Sequence, residues 1–290
     1  MIRCNKLVQG LLAAGLATAL SSGAFASITV KDGVGGTLAS GVTEFDENSA
    51  GSGVIIGGGP GTPPVVGQIQ DLLYQSNVVG FTGSSSSGLN NSFASGGYEL
   101  TLVAHLQLKV TSVNMLGGGA FVATFSAVAG NAGLYFDNTA QGGMKSDTAS
   151  GNGFDDGRLI GMFNVLPGGV SAFYSPNPGT GIGTAAFDFQ TVGMVDSNYL
   201  SSTTGAITGI NFTSNQSLPP GTSLATSFHN NTPNNWSDLY PTYVVGQNDV
   251  LLKVDGSNTF TTAVPEPSTY SLLLAGIGAL GFLARRRRAD

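Results

Sequence analysis

The strongest pattern in the chain is the alternation in "YELTLVAHLQLKV". Tyr98, Leu100, Leu102, Ala104, Leu106, Leu108 and Val110 fall on one face, and Glu99, Thr101, Val103, His105, Gln107 and Lys109 on the other. A period of two predicts an antiparallel strand with one face on a core and the other toward water. At thirteen residues the run is long for a strand, so a bulge or bend is expected within it. "NMLGGG" reads as a hairpin connection into "AFVATFSAV" at Ala120–Val128. Shorter β-branched or aromatic runs follow as "GLYFD", "RLIGMFNVL", "AAFDFQTVGMV", "AITGINFT" and "DVLLKVDG", with "SITV" and "VTEF" near the start. Gly, Asn, Pro and Ser turns separate them. This predicts an all-β body, an antiparallel β-sandwich or jelly roll with Gly/Ser-rich loops. "GQIQDLLYQS" is the one helical candidate of the body, with Ile69, Leu72 and Leu73 on one side. "GSGVIIGGGPGTPPVVG" and "FTGSSSSGLNNSFASGG" have no period and read as loops.

The two ends break this pattern. Arg3 and Lys6 precede an apolar run from Leu7 to Leu20, and "SSGAFA" places Ala24 and Ala26 at the small-residue positions of a cleavage site. Residues 1–26 therefore read as a signal helix, cut after Ala26 by signal peptidase. At the other end, "VPEPS" (Val264, Pro265, Glu266, Pro267, Ser268) precedes fifteen uncharged residues, Tyr270–Ala284, and then Arg285, Arg286, Arg287 and Arg288. As a helix the run spans about 22 Å, short against a hydrocarbon core of about 30 Å. It predicts a short transmembrane helix suited to a temporary hold in a membrane, with the arginines on the cytoplasmic side. The chain thus divides into a signal peptide (1–26), one extracellular β-rich domain (27–263) and a C-terminal segment (264–290).

Composition sharpens this division. The two terminal segments hold six of the eleven cations, leaving Lys31, Lys109, Lys145, Arg158 and Lys253 against fifteen acids in the body. A net charge of about −10 on the body speaks against nucleic acid, whose affinity rests on neutralising phosphates. Glycine, at 44 of 290 residues, is about twice its usual share, which suits strands joined by many turns. The one cysteine, Cys4, lies in the signal peptide, so thiolate and disulfide chemistry are excluded from the body.

Candidate chemistry is sparse. His105 sits mid-strand on the polar face, and His229 lies in the loop "SFHNNTPNNW" with no nucleophile motif beside it. An extracellular hydrolase would need His229 beside a carboxylate in a cleft. "DTASGNGFDDG" gathers Asp147, Asn152, Asp155 and Asp156 in a glycine-rich loop, which reads either as a calcium site or as an Asx-rich turn opening a strand. The spacing matches no EF-hand. "WSDLYPTY" holds Trp236, Tyr240 and Tyr243, candidates for stacking on sugar rings or for packing a loop onto a sheet.

The three-part ending resembles the PEP-CTERM sorting signal, on which bacterial exosortases act in Gram-negative species that make extracellular polysaccharide. The residues carrying the resemblance are Val264–Ser268, Tyr270–Ala284 and Arg285–Arg288. It implies export, a transient inner-membrane anchor, processing by exosortase near the box, and delivery to the cell surface or matrix. "TEFDENSAG", "GGYELTL", "GLYFDN", "DDGRLIG" and "AAFDFQTVGMVDSNYL" are similar to the flocculation-associated branch of these proteins. That implies a non-enzymatic role in cell aggregation or biofilm, with extracellular polysaccharide or the cell surface as partner and no required cofactor. A secreted carbohydrate-binding module acting through Trp236 is the alternative.

Overall fold

Residues 26–59, 62–141, 143–193, 195–218, 224, 227–228 and 242–263 are described by a computed structural model of the chain. The strands are β1 (Ile28–Lys31), β2 (Thr37–Val42), β3 (Glu44–Glu47), β4 (Gly51–Ile55), β5 (Ile69–Thr82), β6 (Tyr98–Gly117) and β7 (Ala120–Asn138). They continue as β8 (Arg158–Val165), β9 (Val170–Ser175), β10 (Gly181–Thr191), β11 (Leu200–Ser202), β12 (Ile207–Leu218), β13 (Ser227–Phe228), β14 (Tyr243–Val244) and β15 (Val250–Thr262). One 3-10 turn, Phe93–Ser95, is the only helical element among the described residues.

The main sheet is antiparallel throughout and closes on itself. β12 pairs β10, β10 pairs both β8 and β9, and these two share β7; β7 then leads through β6 to β5. β5 pairs both β3 and β4, these two share β15, and β15 returns to β12. The circuit has eight positions, two of which are filled by short strands laid end to end. β8 runs along Asn131–Phe136 of β7 and β9 along Phe121–Ser126. β3 and β4 likewise divide β15 between Ser257–Thr259 and Val250–Val254. These two broken positions stand opposite each other in the circuit, and the strands between them form two walls, β5–β6–β7 and β10–β12–β15. Inward side chains meet across the interior. The Tyr74 ring of β5 lies 5.2 Å from Phe212 of β12. Leu102, Ala104 and Leu106 face Phe187, Phe189 and Leu252. The expected sandwich packing is therefore present, made from a sheet whose edges have joined.

A second sheet, in the order β11–β1–β2, adds Ile28, Val30, Val42 and Leu200 to the same core. Tyr199, just ahead of β11, packs its ring 4.9 Å from Phe136, so this sheet covers the end of the circuit where β7 finishes. Inside that end, Glu47 is fully buried and accepts hydrogen bonds from the Tyr74 hydroxyl and the Asn258 amide.

Two expectations change. "GQIQDLLYQS" is strand and not helix, because its apolar residues serve two faces. Leu72 joins the main core, Leu73 packs outward with Val54 and Phe228, and Ile69 is exposed. A central strand covered on both sides loses the alternation that would have marked it. "GSGVI", inside a stretch read as loop, is β4, held between β5 and β15. The bulge expected in the long strand is present, with register slips at Gln107/Leu108, Val110/Ser112 and Met115/Gly117. Gly130 takes φ 136° opposite Leu106, where a Cβ would stand 2.3 Å from the His105 carbonyl oxygen. Only glycine fits such a position.

Candidate functional site

The two walls differ on their outer faces. On the β5–β6–β7 wall the face read as solvent-directed is covered over half its length. Glu99, Thr101 and Val103 are each buried, and what buries them is the strap 143–157. Thr101 Oγ1 donates to the Phe154 carbonyl at 2.6 Å, and Phe154, 1% exposed, packs with Val103 and Tyr135 as a small second core. Glu99 accepts from the Ser146 amide at 2.7 Å and from its hydroxyl at 2.9 Å. Gly157 lets the strap pass close to β7, since a Cβ there would stand 2.6 Å from the Phe136 carbonyl oxygen. Further along, the β13–β14 ribbon lays Phe228 on Val54 and Leu73, and Gln75 Nε2 donates to the Ser227 carbonyl at 3.0 Å.

The acidic loop residues fall into two groups. Asp147 Oδ1 accepts from the Ala149 amide at 2.9 Å, and its own amide donates to the Asn152 carbonyl at 2.9 Å, so Asp147 and Asn152 close an Asx turn. Asp155 and Asp156 are buried at the base of the strap, facing the wall that carries Glu99 and Asp137. Burial pushes the carboxyls of Glu99, Asp137 and Asp155 up to about 7 each, and the Asp156 charge adds to the rise at Asp137 and Asp155. Burial also raises Asp156, while the Ala149 amide lowers Asp147. Among the described residues no three acidic or histidine side chains are placed to hold one metal ion.

Other predicted residues are accounted for more simply. His105 Nε2 lies 2.8 Å from Asp71 Oδ1 on the uncovered part of this face, and Gln107 also donates to Asp71 at 3.4 Å. Tyr243 donates its hydroxyl to Asp249 at 2.7 Å and packs against the Val54–Leu73–Phe228 cluster. Trp236, Tyr240 and His229 lie outside the described residues, as do Ala24, Val264–Ser268 and Arg285–Arg288. Ala26 is buried in the main core beside β1.

The β10–β12–β15 wall presents an open polar face. Its register sets Asp188, Asn211, Thr259 and Glu44 in one cross-strand row, and Ala186, Thr213, Ser257 and Asp46 in the next. Thr184, Asn215 and Asp255 form a third row, and Ile182, Ser217 and Lys253 a fourth. Thr184, Asp188, Thr213, Asn215 and Asp255 are exposed. Neighbouring groups satisfy one another laterally: Asn211 donates to Asp188, and the Thr213 and Ser257 hydroxyls lie 3.1 Å apart. At one border Tyr174 stands between Val122 and Ile182, its ring 40% exposed beside a shallow groove. Sequence reading did not single this face out. Its signal was the polar half of "ITGINFTSNQS", where Thr213, Asn215 and Ser217 alternate with the inward residues.

Residues 263–288 match the family model described as the PEP-CTERM protein-sorting motif. The chain carries a PEP-CTERM sorting motif. The match takes in the box, the apolar run and the arginines expected of such a signal, and it marks an exported protein handled by exosortase through its C-terminal segment. No curated protein and no solved structure matches the chain. No helix among the described residues is long and apolar enough to cross a membrane, and Tyr270–Ala284 lies outside them.

Proposed function

We propose that this PEP-CTERM protein is a non-enzymatic component of the cell surface or matrix that binds extracellular polysaccharide and so helps cells cohere, as in flocs or biofilm. The observation that carries the reading is the open face of the β10–β12–β15 wall. It offers hydroxyl, amide and carboxylate groups in four registered rows, with the Tyr174 ring at its border. Strands about 4.8 Å apart repeat these groups across the face. An extended polymer of sugars, itself a repeating array of hydroxyls, can exchange hydrogen bonds with many rows at once. Each contact is worth little, and affinity comes from their number. An aromatic ring at the border adds a surface on which a sugar ring can stack. An open, shallow polar face of this kind, lined by Glu44, Asp46, Thr184, Thr213, Asn215 and Asp255, suits adhesion.

The test is a strain lacking the protein. Cohesion of cells is expected to fall while polysaccharide synthesis continues, and complementation with a Tyr174→Ala, Asn215→Ala double variant is expected to leave cohesion low. Unchanged cohesion in the deletion strain refutes the role. Full rescue by the double variant refutes the assignment of the face.

A further inference from the structure

At the end away from the β11–β1–β2 sheet the two walls part. The gap is a crevice of about 660 Å³, counted with its open mouth, reaching from Ile55, Leu218 and Val250 at the rim to Leu72, Leu108 and Leu252 within. A second, smaller void lies deeper between the walls and shares Leu72, Gln216 and Leu252 with the first. The opening is thus a slot that continues inward. Facing sheets pack about 10 Å apart, and once side chains fill that spacing, what is left takes a single narrow chain.

The lining is mostly apolar, with Thr62, Ser171, Ser175 and Gln216 among its polar members, and no charged side chain belongs to it. A further polar member, Gln70, lies on the β5 side, beside Leu72 and Leu108. Gln70 points inward from β5 opposite Leu108, is 5% exposed, and its side-chain amide forms no hydrogen bond with a described residue. Its amide opens onto the crevice, where only water or a ligand can meet its donor and acceptor. A ligand entering the crevice has to replace that water with a donor and acceptor of its own. A carboxylate or an ammonium would lose its water here and meet no opposite charge.

We propose that this crevice binds a neutral amphiphile with one short aliphatic chain, the chain lying between the walls and an uncharged amide or hydroxyl head meeting Gln70. The site is separate from the polar face assigned above and does not depend on it.

The experiment titrates the full-length chain, ¹³C-labelled at Leu and Val methyls, with hexanamide, and with hexanoate as the charged control. Saturable shifts are expected at Leu72, Leu108 and Leu252, with hexanoate weaker by about tenfold or more. Gln70→Leu, which keeps the volume apolar, is expected to weaken hexanamide about fivefold or more while leaving the remaining methyl spectrum in place. Leu108→Trp, which fills the slot, is expected to abolish the shifts. The proposal is overturned if hexanamide produces no saturable shift, if hexanoate binds equally well, or if Gln70→Leu binds hexanamide as the natural chain does.

Discussion

The β5–β6–β7 wall and the β10–β12–β15 wall share one interior and use the same alternation, yet their outer faces have opposite fates. The first carries Glu99, Thr101, Val103, Leu73 and Gln75 outward, and the strap and ribbon bury every one of them. The second carries Thr184, Thr213, Asn215 and Asp255 outward and leaves them exposed. What differs is the chemistry of the alternate residues. Val103 and Leu73 give a cover something apolar to hold, and Thr101 and Glu99 fasten it with hydrogen bonds to Phe154 and Ser146. Hydroxyl and amide rows give a cover nothing apolar to bury, so they remain available to a partner. One face is committed to stability and the other is left open.

The comparison can be broken most forcefully at the strap. Phe154→Ala removes the ring that fills the second core and is expected to cost about 3–5 kcal/mol in urea unfolding. It is also expected to expose the strap to protease ahead of global unfolding. A loss below about 1 kcal/mol would mean that the strap only rests on the wall.

The next effect is on pH. The Glu99 carboxyl is raised from 4.5 to about 7, so the folded protein keeps a proton that the unfolded chain releases near 4.5. Stability is therefore expected to fall as pH rises from about 4.5 to about 7 and to level off above that, by about 3 kcal/mol for this group. Glu99→Gln should lessen the slope of that part of the melting-temperature profile. Glu47, Asp137 and Asp155, each raised to about 7 chiefly by burial, contribute slopes of the same sign that Glu99→Gln leaves in place.

On the open face the expectation is reversed. Tyr174→Ala and Asn215→Ala should each change stability by about 0.5 kcal/mol or less, while binding to matrix polysaccharide falls several-fold in the double variant. The smallest effect belongs to the uncovered part of the first wall. Asp71→Asn breaks a half-exposed contact with His105 and should cost about 0.2–1 kcal/mol, with polysaccharide binding unchanged.

The sequence disclosed most where one face alone is buried. Tyr98–Val110 was legible from its period, and so were the hairpin at "NMLGGG" and the turn closed by Asp147. It disclosed least where tertiary cover removed the period. Leu72 and Leu73 point to opposite faces, and both are buried, so β5 resembled one side of a helix. Val103 and Glu99 sat on the face counted as polar because the strap that covers them begins some forty residues later. Asp155 and Asp156 were visible as a loop pair, but their burial against the wall of Glu99 and Asp137 depends on a packing that no local spacing encodes. Closure of the circuit by β12 and β15 was equally hidden, since it pairs strands across the segment from Leu218 to Val250. The open face was legible in its residues, though nothing in a single strand shows that three such strands lie side by side.

The most direct measurement is co-sedimentation of purified protein with polysaccharide from the producing cells, comparing one variant from each wall. The account predicts that Tyr174→Ala, Asn215→Ala loses most of its binding at unchanged melting temperature, whereas Asp71→Asn, His105→Ala binds as the natural chain does. Equal binding by both variants, or greater loss from the second, would contradict it.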